Sequence, residues 1–152
     1  MHNQQIDNLD KNILKALVDD ARTPYAELGK RFDVSPATIH VRIEKMKAAG
    51  IVSGTKLMLE PKPLGFDVCC FIGINLKSAG DYPEVIRRLK EIDEVVEAYY
   101  TTGQYSILIK IWCRSIDDLQ WVLIDKIQSI DKVRKTETLI SLQNPILRTI
   151  PL

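Results

Sequence analysis

The stretch SPATIHVRIEKMK, from Ser35 to Lys47, sets hydroxyl, imidazole and cationic side chains at helical spacing. Such groups can hydrogen-bond to base edges and phosphates. At about 100° per residue, Ile39, Ile43 and Met46 fall within about 60° of one another and form the stripe that must be buried. Ala37, Thr38, His40, Val41, Arg42 and Lys45 are left on the outward arc. Ser35 is placed to cap the helix and Pro36 to occupy its first position, so its opening turns carry small side chains and its free amides face outward, where an anion is favoured. A helix of this kind can enter a major groove without steric conflict and read bases there.

Charge agrees with a local contact rather than a general one. The whole chain carries a formal net charge of +1. Between residues 22 and 56, however, Arg22, Lys30, Arg31, Arg42, Lys45, Lys47 and Lys56 face only Glu27, Asp33 and Glu44. Any nucleic-acid contact therefore belongs to this patch.

Other chemistries find little support. Cys69, Cys70 and Cys113 sit in apolar runs without CxxC spacing, a poor disulfide or zinc framework, and read as core residues of a reducing compartment. His2 and His40 are the only imidazoles, and neither has a neighbouring nucleophile or carboxylate constellation. The pairs Asp19/Asp20 and Asp117/Asp118 fall at a helix end and a helix start, where the second pair complements the helix dipole. No metal-ligand spacing and no GxxxxGK[ST] loop occur, so neither metal nor cofactor is expected, and no enzyme. Acylphosphatase-like catalysis needs an Arg and an Asn around an anion-cradling loop, and KSAGDY offers neither. No apolar run reaches the ~18 residues of a membrane span, and the N-terminus lacks a signal sequence, so a cytoplasmic protein is expected.

The elements that must position the Ser35–Lys47 helix can be read on either side of it. Ile13, Leu14 and Leu17 form one helical stripe with Asp10 as its expected cap. A second helix is expected to start with Thr23 as cap and Pro24 in the first position, with Tyr25, Leu28 and Phe32 on one face. Residues Asp33 and Val34 make a tight turn, Val34 staples onto Ile39, and Gly50 ends the third helix. IVSGTKLML is expected to fold back at Ser53 and Gly54 as a strand pair that brings Lys56 beside the helix. The result is a winged helix-turn-helix. The run EPKPLG then marks a boundary, giving a domain at 1–60 and another at 61–152.

In the second domain VCCFIGINLK reads as a strand, and DYPEVIRRLKEI as a helix with Tyr82, Val85, Ile86, Leu89 and Ile92 on one stripe. VVEAYYTTGQYSILIKIWCR reads as a hairpin turning at Thr102, Gly103 and Gln104. SIDDLQWVLIDKIQSI is a helix capped by Ser115 with Ile116, Leu119, Leu123, Ile127 and Ile130 expected on one face, and KTETLISLQNP is the last strand. The order βαββαβ is ferredoxin-like, so the chain is of the α+β class, with both helices on one side of the sheet. The other side carries Leu108 and Trp112 and remains largely apolar, which predicts a two-fold homodimer through that open face.

The run LDKNILKALVDDARTPYAELGKRFDVSPATIHVRIEKMKAAGIV, followed by this βαββαβ pattern with YYTTGQYSILIK, resembles the leucine-responsive regulator family, also called Lrp/AsnC or feast/famine proteins, over essentially the whole chain. CCFIGINLKSAGDYPE, EVVEAYYTTGQYS and ETLISLQNPILRT are most similar to its asparagine-responsive branch. The resemblance implies a bacterial transcription regulator that binds double-stranded DNA, assembles from dimers to an octamer or larger, and answers to an amino acid, here L-asparagine. It also implies control of amino-acid metabolism genes such as those of asparagine synthesis, and of its own gene. By the same resemblance the second domain is the effector-binding and oligomerisation domain. The effector would sit at Tyr100, Thr101, Thr102, Gly103, Gln104 and Tyr105, with Gln128, Glu137 and Thr138 completing the pocket. Exposed turn amides and threonine hydroxyls suit a carboxylate, Gly103 permits close approach, and Gln128 can pair with a carboxamide. The alternative is a nucleoid-type architectural protein that binds DNA without an effector.

Overall fold

A computed structural model describes residues 6–152. The chain divides into two compact units, one running to Met58 and taking in Ile146–Leu152, the other Leu59–Pro145.

The first unit is built from three helices, α1 (Asn8–Asp19), α2 (Tyr25–Phe32) and α3 (Pro36–Ala48). Their core is Ile13, Leu14, Ala16, Leu28, Ile39, Ile43 and Met46, with Tyr25, Phe32, Val34 and Val52 packed around it. Asp7, not Asp10, caps α1. The two acids form a reciprocal capping box in which each side chain accepts the other's backbone N–H, which satisfies two amides where a single cap satisfies one. Thr23 does not cap α2 either: its hydroxyl donates to the Asp20 carbonyl, and Pro24 holds the cap position without a side-chain bond. Asp33, in the left-handed region at φ 54°, turns the chain from α2 into α3. Gly29 lets that turn close, because a methyl there would lie 2.6 Å from the Val34 carbonyl oxygen. Ser35 caps α3 by accepting from Thr38 N–H, and Gly50 ends it at φ 72°. There Ile51 N–H bonds to the Met46 carbonyl and Gly50 N–H to the Lys47 carbonyl, the Schellman arrangement.

The expected wing does not form. Residues 52–60 carry no strand, and Gly54 at φ 153° is far from the φ near +60° that a two-residue hairpin turn requires. With no facing strand, Leu57, Met58 and Leu59 are exposed, and Lys56 stands in this unpaired segment.

The second unit is a four-stranded antiparallel sheet in the order β2-β3-β1-β4, from β1 (Val68–Leu76), β2 (Val95–Tyr100), β3 (Ile107–Cys113) and β4 (Val133–Ile140). Two helical segments cross between strands: α4 (Tyr82–Leu89), and α5 (Ile116–Trp121), which continues as a π-helix over Val122–Gln128. On one side of the sheet Ile72, Ile74, Ile107, Ile109 and Ile111 are fully buried and share a core with Val85 and Leu89 of α4 and Leu119, Val122 and Ile127 beyond β3. The other side leaves Phe71, Leu108, Lys110 and Trp112 half-buried and Tyr99 and Leu139 exposed.

The α5 stripe departs from the expected one: Ile116 is exposed, whereas Val122 is fully buried. Ile116 stands at the first position of the α-helical part, and the π-helix bears on the residues after it. The π-helix takes about 4.4 residues per turn, so the fifth residue after Val122, Ile127, returns to the core face, a place that uninterrupted α-geometry would give to Lys126.

Candidate functional site

The reading face of the first unit follows from the way α3 is held. Ile39, Ile43 and Met46 are at most 3% exposed, so the opposite arc is turned to solvent. Pro36, Ala37, His40, Val41 and Lys45 are exposed there and Thr38 is half-buried. Val41 is 63% exposed, an apolar group of the kind that contacts a thymine methyl. The hydroxyls of Ser35 and Thr38 lie 2.9 Å apart and serve the cap, so they mark the start of the helix more than they reach outward. The His40 ring lies 5.8 Å from that of Tyr25 on α2. Lys47 is paired with Glu44 at 2.8 Å, whereas Lys45 makes no ion pair among the described residues.

Arg42 departs from the expected outward cation. Its side chain is 30% exposed, and its guanidinium bonds to Asp7 at 2.6 Å and Asp10 at 2.9 Å, both on the α1 side. The Asp7 carboxyl is held below its ordinary value of 3.8, first by the Asp10 backbone amide and then by Arg42, and Arg42 is raised in turn, first by its hydrogen bond to Asp7. These two acids, with Ala37, Thr38, Val41, Arg42 and Lys45, line an open depression of about 510 Å³. Sequence reasoning did not find Asp7; the signal available was the spacing of two acids ahead of an apolar run, which fits a capping box in either register.

In the second unit the turn between β2 and β3 is tied down at both ends. The Thr101 hydroxyl donates to the Tyr105 carbonyl at 2.9 Å, and the Asn75 amide donates to the Gln104 carbonyl at 2.6 Å. The Tyr105 hydroxyl donates to Glu137 at 2.5 Å, with the Gln104 side-chain amide 3.5 Å from the same oxygen. That bond raises the tyrosine above its ordinary value of 10.0. Thr102, Gly103 and Gln104 form an exposed apex, with Gly103 at φ 95°.

The turn and Glu137 therefore come together, but the remaining candidates do not join them. Glu137 pairs with Gly73 on the open side of the sheet, whereas Thr138 pairs with Ile72 on the helix side. Gln128 donates to the Thr136 hydroxyl at 2.8 Å, also on the helix side, and Tyr100 lies against Tyr82 with ring centres 4.3 Å apart. Among the described residues no cluster of His, Cys, Asp or Glu could hold a metal, and no helix is long and apolar enough to cross a membrane. His2 lies outside the described residues.

Comparison with known proteins bears on both units. Residues 6–47 match the model of the AsnC-type helix-turn-helix domain, and residues 69–151 that of the Lrp/AsnC ligand binding domain. The chain is 65% identical over 150 residues to the Regulatory protein AsnC of Escherichia coli K12, covering 99% of each. It is 61% identical over 150 residues to the Regulatory protein AsnC of Haemophilus influenzae, again covering 99% of each. The solved structure of E. coli AsnC superposes with a TM-score of 0.92 at 66% identity, over 96% of this chain and 98% of that one.

Proposed function

The chain belongs to the Lrp/AsnC family of transcription regulators, and from that premise we propose that it reads duplex DNA with the outer arc of α3 and adjusts that activity to an amino acid, L-asparagine. It is a regulator with a helix-turn-helix DNA-binding domain and not an enzyme, as its relatives are. One observation carries the DNA reading: α3 is capped by Ser35, pinned by Ile39, Ile43 and Met46, and left bare along Ala37, His40, Val41 and Lys45. Ser35 and Thr38 close the cap around Pro36, which has no N–H, and leave the Ala37 amide to meet a phosphate, and Lys56 adds charge from the segment beyond α3.

The effector binds at the β2–β3 turn. Its carboxylate meets the Thr102, Gly103 and Gln104 amides and the Thr102 hydroxyl, since Thr101 spends its own donors on Ser106 and Tyr105, and Glu137, beside Tyr105, takes its ammonium group. Tyr100, Gln128 and Thr138 lie on the far side of the sheet, so they complete a pocket only when supplied by a neighbouring subunit. This fits assembly of homodimers into an octamer or larger, with the half-buried Phe71, Leu108 and Trp112 face as the two-fold contact. The protein works in the cytoplasm, where its DNA and effector are, on genes of amino-acid metabolism that include asparagine synthesis and its own gene.

The test is recovery of the genomic fragments the protein retains, with and without asparagine. Retention of the same fragments to the same extent in both conditions would remove the effector reading. Failure to enrich any fragment would remove the DNA reading.

A further inference from the structure

Arg42 closes a ring of hydrogen bonds between two helices. Its Nη1 donates to Asp7 Oδ2 and Asp10 Oδ1. The remaining oxygen of each carboxylate serves the α1 cap: Asp7 Oδ1 accepts from Asp10 N–H at 2.8 Å, and Asp10 Oδ2 accepts from Asp7 N–H at 3.1 Å. Each acid thus holds the start of α1 with one oxygen and α3 with the other, across 32 and 35 residues of chain.

A base-reading cation is not built this way. To reach a guanine, Arg42 would give up two charge-assisted bonds for two at most, and would leave a pair of like charges bare in the depression beside the reading face. DNA phosphates near that depression would meet negative charge. The exchange therefore favours Arg42 staying where it is.

The apolar contacts of α3 leave something for it to do there. Burial of Ile39, Ile43 and Met46 holds the helix down, but the hydrophobic effect has no direction and tolerates a small roll about the helix axis. Paired hydrogen bonds to fixed carboxylates do have direction. We propose that Arg42 is a positioning residue of the DNA-reading face: with Asp7 and Asp10 it sets the roll of α3, so that Ala37, Val41 and Lys45 meet the bases at a fixed angle, and it neutralises two acids beside the groove. This rests on α3 being the DNA-reading helix.

Asp7→Asn and Asp10→Asn test it in the full chain. Asparagine keeps a side-chain oxygen for the cap and puts an amide nitrogen where Arg42 donates, so α1 keeps its start while the link to α3 is broken. Binding of a retained fragment and of unrelated DNA is measured over a salt series, well below the unfolding midpoint of each variant. Positioning predicts that each substitution lowers the ratio of specific to non-specific affinity by about fivefold to tenfold, although each removes a negative charge. A simple loss of folded protein would lower both affinities together and leave the ratio alone. Arg42→Gln should lower the ratio similarly, with the salt slope unchanged, because Arg42 neutralises no phosphate. Tighter specific binding in the asparagine variants, or a slope that falls by about one in Arg42→Gln, would make Arg42 a direct contact and overturn the proposal. An unchanged ratio would also overturn it. Wild-type protein without any preferred fragment would show instead that α3 is not the reading helix, and the inference would fall with it.

Discussion

The Tyr105 ring lies flat over Gly73 of β1: a methyl group at Gly73 would come within 2.5 to 2.6 Å of three of its ring carbons. The missing side chain lets the tyrosine cross β1 and reach Glu137 on β4, which ties the β2–β3 turn to the far strand. The Gly73→Ala substitution should therefore lift Tyr105, break its bond to Glu137 and loosen the turn. Overpacking of this kind costs about 1–3 kcal/mol. Calorimetric titration should show weaker amino-acid binding, while DNA binding without effector stays at the wild-type level. Unchanged effector affinity would mean that the Tyr105–Glu137 tie has no part in the site.

Lys45 is the exposed cation of α3 that no acid holds among the described residues. The Lys45→Ala substitution should weaken operator binding by about 1–3 kcal/mol if it contacts a base edge. If it contacts a phosphate, the loss spreads over all sequences and the salt slope falls by about one. A fluorescence anisotropy series at several salt concentrations separates these results. Wild-type affinity at every salt concentration would exclude Lys45 from the interface.

Much of this arrangement could be read along the chain because it is local. The burial of Ile39, Ile43 and Met46 follows from helical spacing, and the Ser35 cap with Pro36 beside it depends on neighbours only three residues away. The succession of strands and helices in the second unit likewise follows from short apolar runs and the glycine turn at Gly103. Arg42 was misplaced because its partners are 32 and 35 residues distant, and periodicity shows only that a side chain is near the edge of the buried arc. The choice between Asp7 and Asp10 as cap was undecidable locally, since both are acids and the box uses both. The wing was expected from Ser53 and Gly54, but glycine also permits the φ of 153° that the chain takes there, which does not make a hairpin turn. Val122 was missed because α-helical spacing was carried through a segment that adopts π-geometry, whereas Ile116 is exposed at the first position of α5, ahead of that segment.

Acid should weaken the first unit through Asp7. Its folded value lies below the ordinary 3.8, through the Asp10 amide first and Arg42 second, so the unfolded chain binds the proton more readily. The resulting stabilisation is present in full above 3.8 and is lost as pH falls through the lower folded value. Thermal melts of wild type and Asp7→Asn from about pH 5 to about pH 2.5 should therefore converge as pH decreases. Parallel curves across that range would show that Asp7 makes no charge-dependent contribution.

The three cysteines should behave as core groups. Burial pushes the Cys70 thiol up to about 11 and the Cys113 thiol to about 12, and raises Cys69 as well despite the opposing charge of Lys110. The thiolate is the reactive form, so at pH 8 only about one Cys70 in a thousand is ionised at any moment, and steric closure lowers its reactivity further. Cys69 differs in position: it is 9% exposed on the open side of the sheet, whereas Cys70 and Cys113 are fully buried on the helix side. Timed alkylation of the native protein with iodoacetamide, read by mass spectrometry, should label Cys69 first and slowly, and the other two only with unfolding. If the open side is also the subunit contact, dilution that separates subunits should speed labelling of Cys69 alone. Equal rates at all three sites below the unfolding midpoint would contradict the placement of Cys70 and Cys113 in the core.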